Sequence, residues 1–304
     1  MVLENKKKIV VVGSSNTDMV IKAGRLPVPG ETVIGGQFMM NPGGKGANQA
    51  VAIARMGGQV TFVTKTGNDL FGRQSMELYN SENINTEYVF SDPDHPSGVA
   101  LISVDAYGEN CILVAPGANS ALTVQDIEKA RPELESAGIV LMQLEIPMET
   151  VEYAAEIAAE KGVKVALNPA PAQTLSNELL NRLYIITPNK NEAEILSGVK
   201  VTDWESARRA ADRISEKGVE IVVITLGGLG ALVKEGSHYH RVEAEKVDAV
   251  DTTAAGDTFC GTLCVGLSEG RSIVEAVQLA CKAAAITVTR MGAQAALPYR
   301  HELH

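Results

Sequence analysis

The chain has 304 residues, with 37 acidic side chains against 27 basic ones, a formal net charge of −10. Hydrophobic residues make up 45% and charged residues 21%, values of a globular domain large enough for a full core. An acidic chain with one Trp and no basic cluster argues against nucleic-acid binding. The run Lys6-Lys7-Lys8 precedes only the short apolar stretch Ile9 to Val12, too little for a signal-peptide core. No apolar stretch approaches the roughly 18 residues of a membrane span. The cysteines Cys111, Cys260, Cys264 and Cys281 contain no CxxC pair and read as reduced thiols. Fibrous, secreted, membrane and disordered classes are excluded. A cytoplasmic globular protein is expected.

Short β-branched runs alternate with amphipathic stretches, the pattern of an α/β fold with a mostly parallel sheet. Strands are expected at 8–12, 60–64, 138–144, 163–167, 184–186 and 220–225. Helices are expected between them at 46–56, 70–81, 148–161, 189–197 and 205–217, followed by 254–267 and 272–289. Two segments break the alternation. Met19 to Met40 holds two strand-like runs around Leu26-Pro27-Val28-Pro29-Gly30, and Ser97 to Val114 has the pattern of a hairpin. Neither contains a crossover helix, so both are expected to be antiparallel. Together they suggest a small β element standing off the main sheet as a lid over a site. The expected division is a main α/β domain of 1–14, 43–96 and 115–304, with a discontinuous lid of 15–42 and 97–114.

Five stretches carry candidate chemistry. In Val250-Asp251-Thr252-Thr253-Ala254-Ala255-Gly256-Asp257-Thr258-Phe259, a strand end runs through small residues into a helix. Small side chains let backbone N–H groups approach an anion at the positive end of the helix dipole. Asp257 falls in the first helical turn, where its carboxylate is useful only if it faces a hydroxyl. The alternative is an Asp that merely complements the dipole. In Asn41-Pro42-Gly43-Gly44-Lys45-Gly46-Ala47-Asn48-Gln49-Ala50, glycines precede a helix whose first turn carries Lys45 and Asn48. It is not a Walker A loop. Asn48 offers a donor and an acceptor, as a sugar diol requires. A plain glycine turn is the alternative.

Gly13-Ser14-Ser15-Asn16-Thr17-Asp18 follows the first strand without the G-x-G-x-x-G spacing of a dinucleotide site. Asn16 and Asp18 are two apart and face the same way on an extended segment, suiting hydroxyls. An Asx turn explains them equally well. Thr187-Pro188-Asn189-Lys190-Asn191-Glu192 opens a helix. Asn189 and Glu192 share a face and could meet hydrated Mg²⁺, or simply form a capping box. Thr225-Leu226-Gly227-Gly228-Leu229-Gly230 is either a glycine stretch against a purine nucleotide or a hairpin turn. Glu145 lies at the carboxyl end of a central strand, where open α/β sheets bind ligands. His238 and His240, flanking Tyr239, read as a polar turn. Cys260 and Cys264 share a helix face and read as core.

These motifs, in this order over almost the whole chain, resemble the ribokinase-type (PfkB) family of carbohydrate and nucleoside kinases. Gly43 to Ala50 and Asp251 to Phe259 are similar to the two family signatures. Leu167-Asn168-Pro169-Ala170-Pro171-Ala172 and Met142-Gln143-Leu144-Glu145 add to the likeness. The resemblance implies a three-layer sandwich with a β-sheet lid and transfer of phosphate from ATP to the 5-hydroxyl of D-ribose. It implies Asp257 as general base, with the N–H groups of Ala254, Ala255 and Gly256 as anion hole. Asn16, Asp18, Gly44, Lys45, Asn48 and Glu145 would hold the sugar. Asn189 and Glu192 would organise Mg·ATP. Thr225, Leu226, Gly227, Gly228, Leu229 and Gly230 would line the nucleotide, with Gly256 and Cys281. Asp251, Thr253, Thr287, Arg290 and Gly292 would hold a monovalent cation, K⁺. A homodimer through the lid strands is implied. The chain departs from one family member at Cys281, where that member has a His beside the adenine, at Ala296, where it has a Ser facing the cation, and at Cys260, where it has an Asn.

The chemistry stands without the likeness. Phosphoryl transfer is catalysed mainly by positioning and charge stabilisation, and an Asp of ordinary pKa near 4 is expected to suffice. The short polar set of Asn16, Asp18, Asn48 and Glu145 favours a small bare sugar over a nucleoside. Competing readings are a sibling sugar or nucleoside kinase and a non-catalytic sugar or nucleotide sensor. A nicotinamide oxidoreductase is disfavoured by the missing glycine fingerprint.

Overall fold

A computed structural model describes residues 7–303; Lys6 of the lysine run and His304 lie outside them. The chain opens with β1 (Ile9–Val12), four β-branched residues buried on both faces. β2 (Asn16–Lys22) and β3 (Gln37–Gly43) pair antiparallel, and α1 (Lys45–Arg55) follows at once. Next come β4 (Val60–Gly67), α2 (Leu70–Ser81), β5 (Val89–Asp92), β6 (Gly98–Val104) and β7 (Asn110–Ala115). Two short helices, α3 (Val124–Lys129) and α4 (Arg131–Ser136), lead to β8 (Ile139–Met142), α5 (Met148–Glu160), β9 (Lys164–Leu167) and α6 (Asn177–Arg182). Then follow β10 (Ile185–Ile186), α7 (Lys190–Ser197), α8 (Trp204–Ser215), β11 (Ile221–Thr225), β12 (Ala231–Glu235) and β13 (His238–Val242). The helices α9 (Ala255–Ser268) and α10 (Ile273–Val288) close the fold.

Among the described residues, nine strands form the main sheet in the order β13-β12-β11-β10-β9-β8-β1-β4-β5. It is parallel from β5 to β11 and antiparallel through β12 and β13. Alternate residues of each strand feed two separate cores. Ile9, Val11, Phe62 and Leu141 pack with α1, α9 and α10 on one face. Val10, Val12, Val140 and Leu167 pack with α3 to α8 on the other. The result is the three-layer α/β architecture expected. Gly261 on α9 has no room for a side chain, since a Cβ there would lie 2.9 Å from the Gln49 carbonyl oxygen. This close approach brings the first turns of α1 and α9 together.

The second sheet has the order β3-β2-β6-β7. Each hairpin is antiparallel, as expected, but the two are joined by parallel pairing of β2 with β6. Asn16 and Gly98 start their strands side by side, so the two leave the body in the same direction. Two further expectations fail. His238 and His240 lie on β13 rather than in a turn, because the reversal falls earlier, at Gly236 with φ 55°. The elements β5, α3, α4, α6 and β12 were not anticipated; α3, α4 and α6 are each too short for a helical period to show.

Candidate active site

Three elements that are distant in sequence end at one place. β2 leaves the main sheet, α1 begins beside it, and α9 begins opposite. Asn16 and Asp18 are both buried at the start of β2 and, two apart on a strand, point to the same side; Thr17 between them is buried too. Asn16 Oδ1 accepts from Asn119 Nδ2 at 2.7 Å, and Asn119 also clasps both backbone groups of Ser15. Glycines make the space. A Cβ on Gly43 would sit 2.2 Å from Asp18 Oδ2, and one on Gly98 would sit 2.2 Å from Asn16 Oδ1. Gly44 caps α1 at φ 87°, a conformation that a side chain would strain.

Glu145 lies in the loop after β8. Its Oε2 accepts from Ser14 Oγ at 2.6 Å and from the Lys45 N–H at 3.0 Å, so it anchors the start of α1. Asp257, in the first turn of α9, turns inward rather than to solvent and is buried. Asn48 Nδ2 donates to Asp257 Oδ2 at 2.9 Å, and Gln49 Nε2 to Asp257 Oδ1 at 3.0 Å. Asn48 Oδ1 is buried without a hydrogen-bond partner, which leaves it available to a ligand hydroxyl. Ala254, the N-cap, adopts the left-handed conformation at φ 59°, a strained backbone at the turn that opens α9. The Ala255 N–H is directed at Thr252 O at 3.3 Å.

The charges are concentrated and buried. Burial raises Asp257 above the ordinary carboxylate range, against the opposing pull of Lys45 and the two amide donors. The sequence-based expectation of an ordinary pKa near 4 is therefore corrected. Burial, with Glu145 and Asp257 nearby, pushes Asp18 up to about 6. Burial pulls Lys45 down, but the carboxylates of Asp257, Glu145 and Glu192 outweigh it and leave it raised. Glu192 is raised by burial.

A cleft of about 200 Å³ is lined by Lys45, Asn168, Ala170, Thr187, Asn189, Glu192, Thr225, Thr252, Ala254, Gly256, Asp257 and Cys260. It thus joins four of the five sequence motifs. Asn189 and Glu192 do form a capping box, with the Glu192 N–H on Asn189 Oδ1 at 2.9 Å, and still line the cleft. Thr225 lies on its wall, whereas Leu226 is buried in the core and Gly227 to Gly230 form a short turn between β11 and β12. That turn is the hairpin alternative. Cys281 is buried on α10 and does not line the cleft.

Behind the anion turn, Asp251 ties the strap before α9 to the end of α10. Its Oδ2 accepts the Gly292 N–H at 3.0 Å, and its Oδ1 accepts the Thr253 N–H at 2.9 Å. Burial raises Asp251, but the Thr253 and Gly292 hydrogen bonds prevail and hold it below the usual range. The Arg290 N–H donates to Thr287 O at 3.1 Å, and the Arg290 guanidinium pairs with Glu302.

Gln49, Asn119, Asn168, Thr187 and Ser14 were given no role by the sequence reading. Gln49 and Asn168 lie inside stretches already singled out, where spacing alone does not say which amide turns inward. Asn119 follows β7 and carried no local signal. A larger groove of about 450 Å³ between α3, α5 and α6 is walled by Glu149, Glu152, Glu156 and Glu178, and contains no residue of the five stretches singled out in the sequence.

The fold and this cleft are those of a group-transfer enzyme, with the start of α9 facing a polar pocket. Residues 6–300 match the family model described as pfkB family carbohydrate kinase. The chain is 44% identical over 297 residues to the ribokinase of Haemophilus influenzae, covering 98% of this chain and 97% of that one. It is 37% identical over 291 residues to the deoxyribokinase of Salmonella typhi, covering 95% of each. Among solved structures, Arabidopsis thaliana ribokinase complexed with ribose and ATP superposes with a TM-score of 0.91 at 31% identity, covering 98% of each chain. The chain belongs to the PfkB family of carbohydrate kinases. Within it, this is a phosphotransferase of ribokinase type.

Proposed function

We propose that this enzyme transfers the γ-phosphoryl group of ATP to the 5-hydroxyl of D-ribose. The observation that carries this reading is the convergence of Asp18, Asn48 and Lys45 on Asp257 at the start of α9. Acceptors on β2 and an unpartnered Asn48 Oδ1 suit the hydroxyls of a small sugar, while Lys45 offers a donor. Asp257 Oδ1 and Oδ2 each accept one amide N–H, which leaves lone pairs for the sugar's 5-hydroxyl. As the oxygen of that hydroxyl bonds to the γ-phosphorus, the bond to the ADP oxygen breaks and the proton passes to Asp257. N–H groups of the Ala254, Ala255 and Gly256 turn would meet the charge on the phosphoryl oxygens; the Ala255 N–H must then leave Thr252 O.

Asn189 and Glu192 would hold the Mg²⁺ end of Mg·ATP, and Mg²⁺ supplies neutralisation of phosphate charge when bound. Thr225 would border the nucleotide, with Gly227 to Gly230 of the β11–β12 turn beside it, while Leu226 stays in the core. Asp251 and the carbonyls of Thr253, Thr287, Arg290 and Gly292 would hold K⁺, which steadies the anion turn when bound. The second sheet would act as the lid. The residues that share its outward face, read from the register, include Ile21, Phe38, Met40, Leu101 and Leu113, all exposed. Such an apolar face suits pairing with a second copy. A cytoplasmic setting is supported by the buried free thiols of Cys260, Cys264 and Cys281.

The test is ADP release with Mg·ATP and K⁺ across D-ribose, 2-deoxyribose, D-fructose, adenosine and no sugar. A kcat/KM for ribose roughly tenfold or more above the others supports the reading. The likeness to a deoxyribokinase makes 2-deoxyribose the second candidate, and preference for it would move the specificity claim. No turnover with any acceptor would leave the sensor reading in its place.

A further inference from the structure

Asp257 is approached by a chain of buried amides that runs from Gln143 through Gln49 to Asn168. Gln49, on α1, is fully buried and uses every polar atom of its side chain. Nε2 donates to Asp257 Oδ1 at 3.0 Å and to Asn168 Oδ1 at 3.1 Å, and Oε1 accepts from Gln143 Nε2 at 2.6 Å. Asn168 in turn donates to the Thr187 carbonyl at 3.2 Å. Gln143, fully buried after β8, is pressed against the first strand: a Cβ on Gly13 would lie 1.9 Å from its Oε1. A carboxylate can only accept, so Gln49 must turn its amide nitrogen to Asp257, and the Gln143 amide nitrogen fixes that choice from behind.

Resting on the kinase reading above, we propose that Gln49, locked by Gln143, is a positioning residue that aims the Asp257 carboxylate and sets its basicity. Burial by itself favours the protonated form of Asp257, which cannot accept a proton. Two donors to the charged form oppose this, one from Asn48 beside the sugar and one from Gln49 beneath it. The other titratable groups that bear on Asp257 are Lys45 on α1, Glu145 after β8, Asp18 on β2, Glu192 on α7 and the Cys260 thiol on α9, which burial keeps protonated. Lys45 alone among these favours the carboxylate form. Gln49 differs from Asn48 in having no free atom to offer a sugar, so its removal is expected to alter kcat rather than sugar affinity.

The test compares the full-length wild type with Gln49→Leu, Gln143→Met and Asp257→Asn, by pH profiles of kcat with ribose and Mg·ATP. Gln49→Leu is expected to lower kcat by about 10- to 100-fold, leave both KM values within about twofold, and move the acid limb of kcat up by about one pH unit. Gln143→Met keeps volume and is expected to do the same to a smaller extent, and it carries the test if Gln49→Leu fails to fold. A fall in kcat with an unmoved acid limb would make the role packing alone and overturn the proposal. Unchanged kinetics in both Gln variants, with Asp257→Asn inactive, would overturn it while sparing the kinase reading. Full activity in Asp257→Asn would overturn both.

Discussion

Asn48 Nδ2 donates to Asp257 Oδ2 at 2.9 Å across a sequence separation of 209 residues, tying the first turn of α1 to the first turn of α9. The two glycine-containing signatures of the chain thus form one device. Each supplies a helix start, and their polar side chains meet between them.

Asp257→Asn preserves shape and an acceptor for one of the two amides, Asn48 or Gln49, while removing the proton acceptor. It is expected to lower kcat about 10²–10⁴-fold with sugar and nucleotide binding retained. Steady-state kinetics with calorimetric ribose binding checks this, and an unchanged kcat would remove Asp257 as the base.

Asp18 carries a stability penalty at neutral pH. Its folded pKa of about 6 lies above the ordinary 3.8, so the native state binds more protons than the unfolded state between those values. Stability is therefore lost as pH rises through about 6. Asp18→Asn is expected to stabilise the sugar-free protein at pH 7.5 by up to about 3 kcal/mol, with little effect at pH 4, while weakening ribose binding. Thermal melts at both pH values decide it; equal shifts at the two would show that the charge is not the cause.

Gly98→Ala places a methyl group against Asn16 Oδ1 and Asn119 Nδ2, with the Pro116 carbonyl oxygen 2.9 Å away. The expected result is a KM for sugar raised about tenfold and a loss of about 1–3 kcal/mol in stability. Normal KM would mean that Asn16 does not touch the sugar.

The strap held by Asp251 predicts faster turnover in K⁺ than in Na⁺ after desalting. Ala296 is fully buried and offers no side-chain oxygen, so the activation is expected to be weaker in this chain than after Ala296→Ser. Equal rates in the two salts would remove the cation from the proposed function.

Leu113 is 72% exposed on the apolar face of the second sheet, beside Leu101 and in the same row as Met19 and Met40. Leu113→Lys is expected to shift the species seen by light scattering from dimer to monomer. A monomeric wild type would contradict the lid pairing.

Much of this was legible along the chain. The run Ile9 to Val12 had to be a strand covered on both sides, and the helix over 70–81 ends where its apolar period ends. Gly43 to Ala50 and Asp251 to Phe259 marked the two helix starts, since small residues before a helix announce backbone left open to a ligand. Local spacing left the roles of single residues undecided. Asn189 and Glu192 are at once a capping box and part of the cleft wall, and only their position beside Thr225 shows it. Cys281 fell away from the cleft because the turn of α10 faces it into the core. Sequence by itself determined the layers and the order of the motifs, because hydrophobic period and turn chemistry are local properties. The tertiary structure decided that Gln49 reaches Asp257, that Asn119 braces Asn16, and that a buried Asp is a stronger base than its free form. Those depend on which distant elements meet and on how little water is left between them.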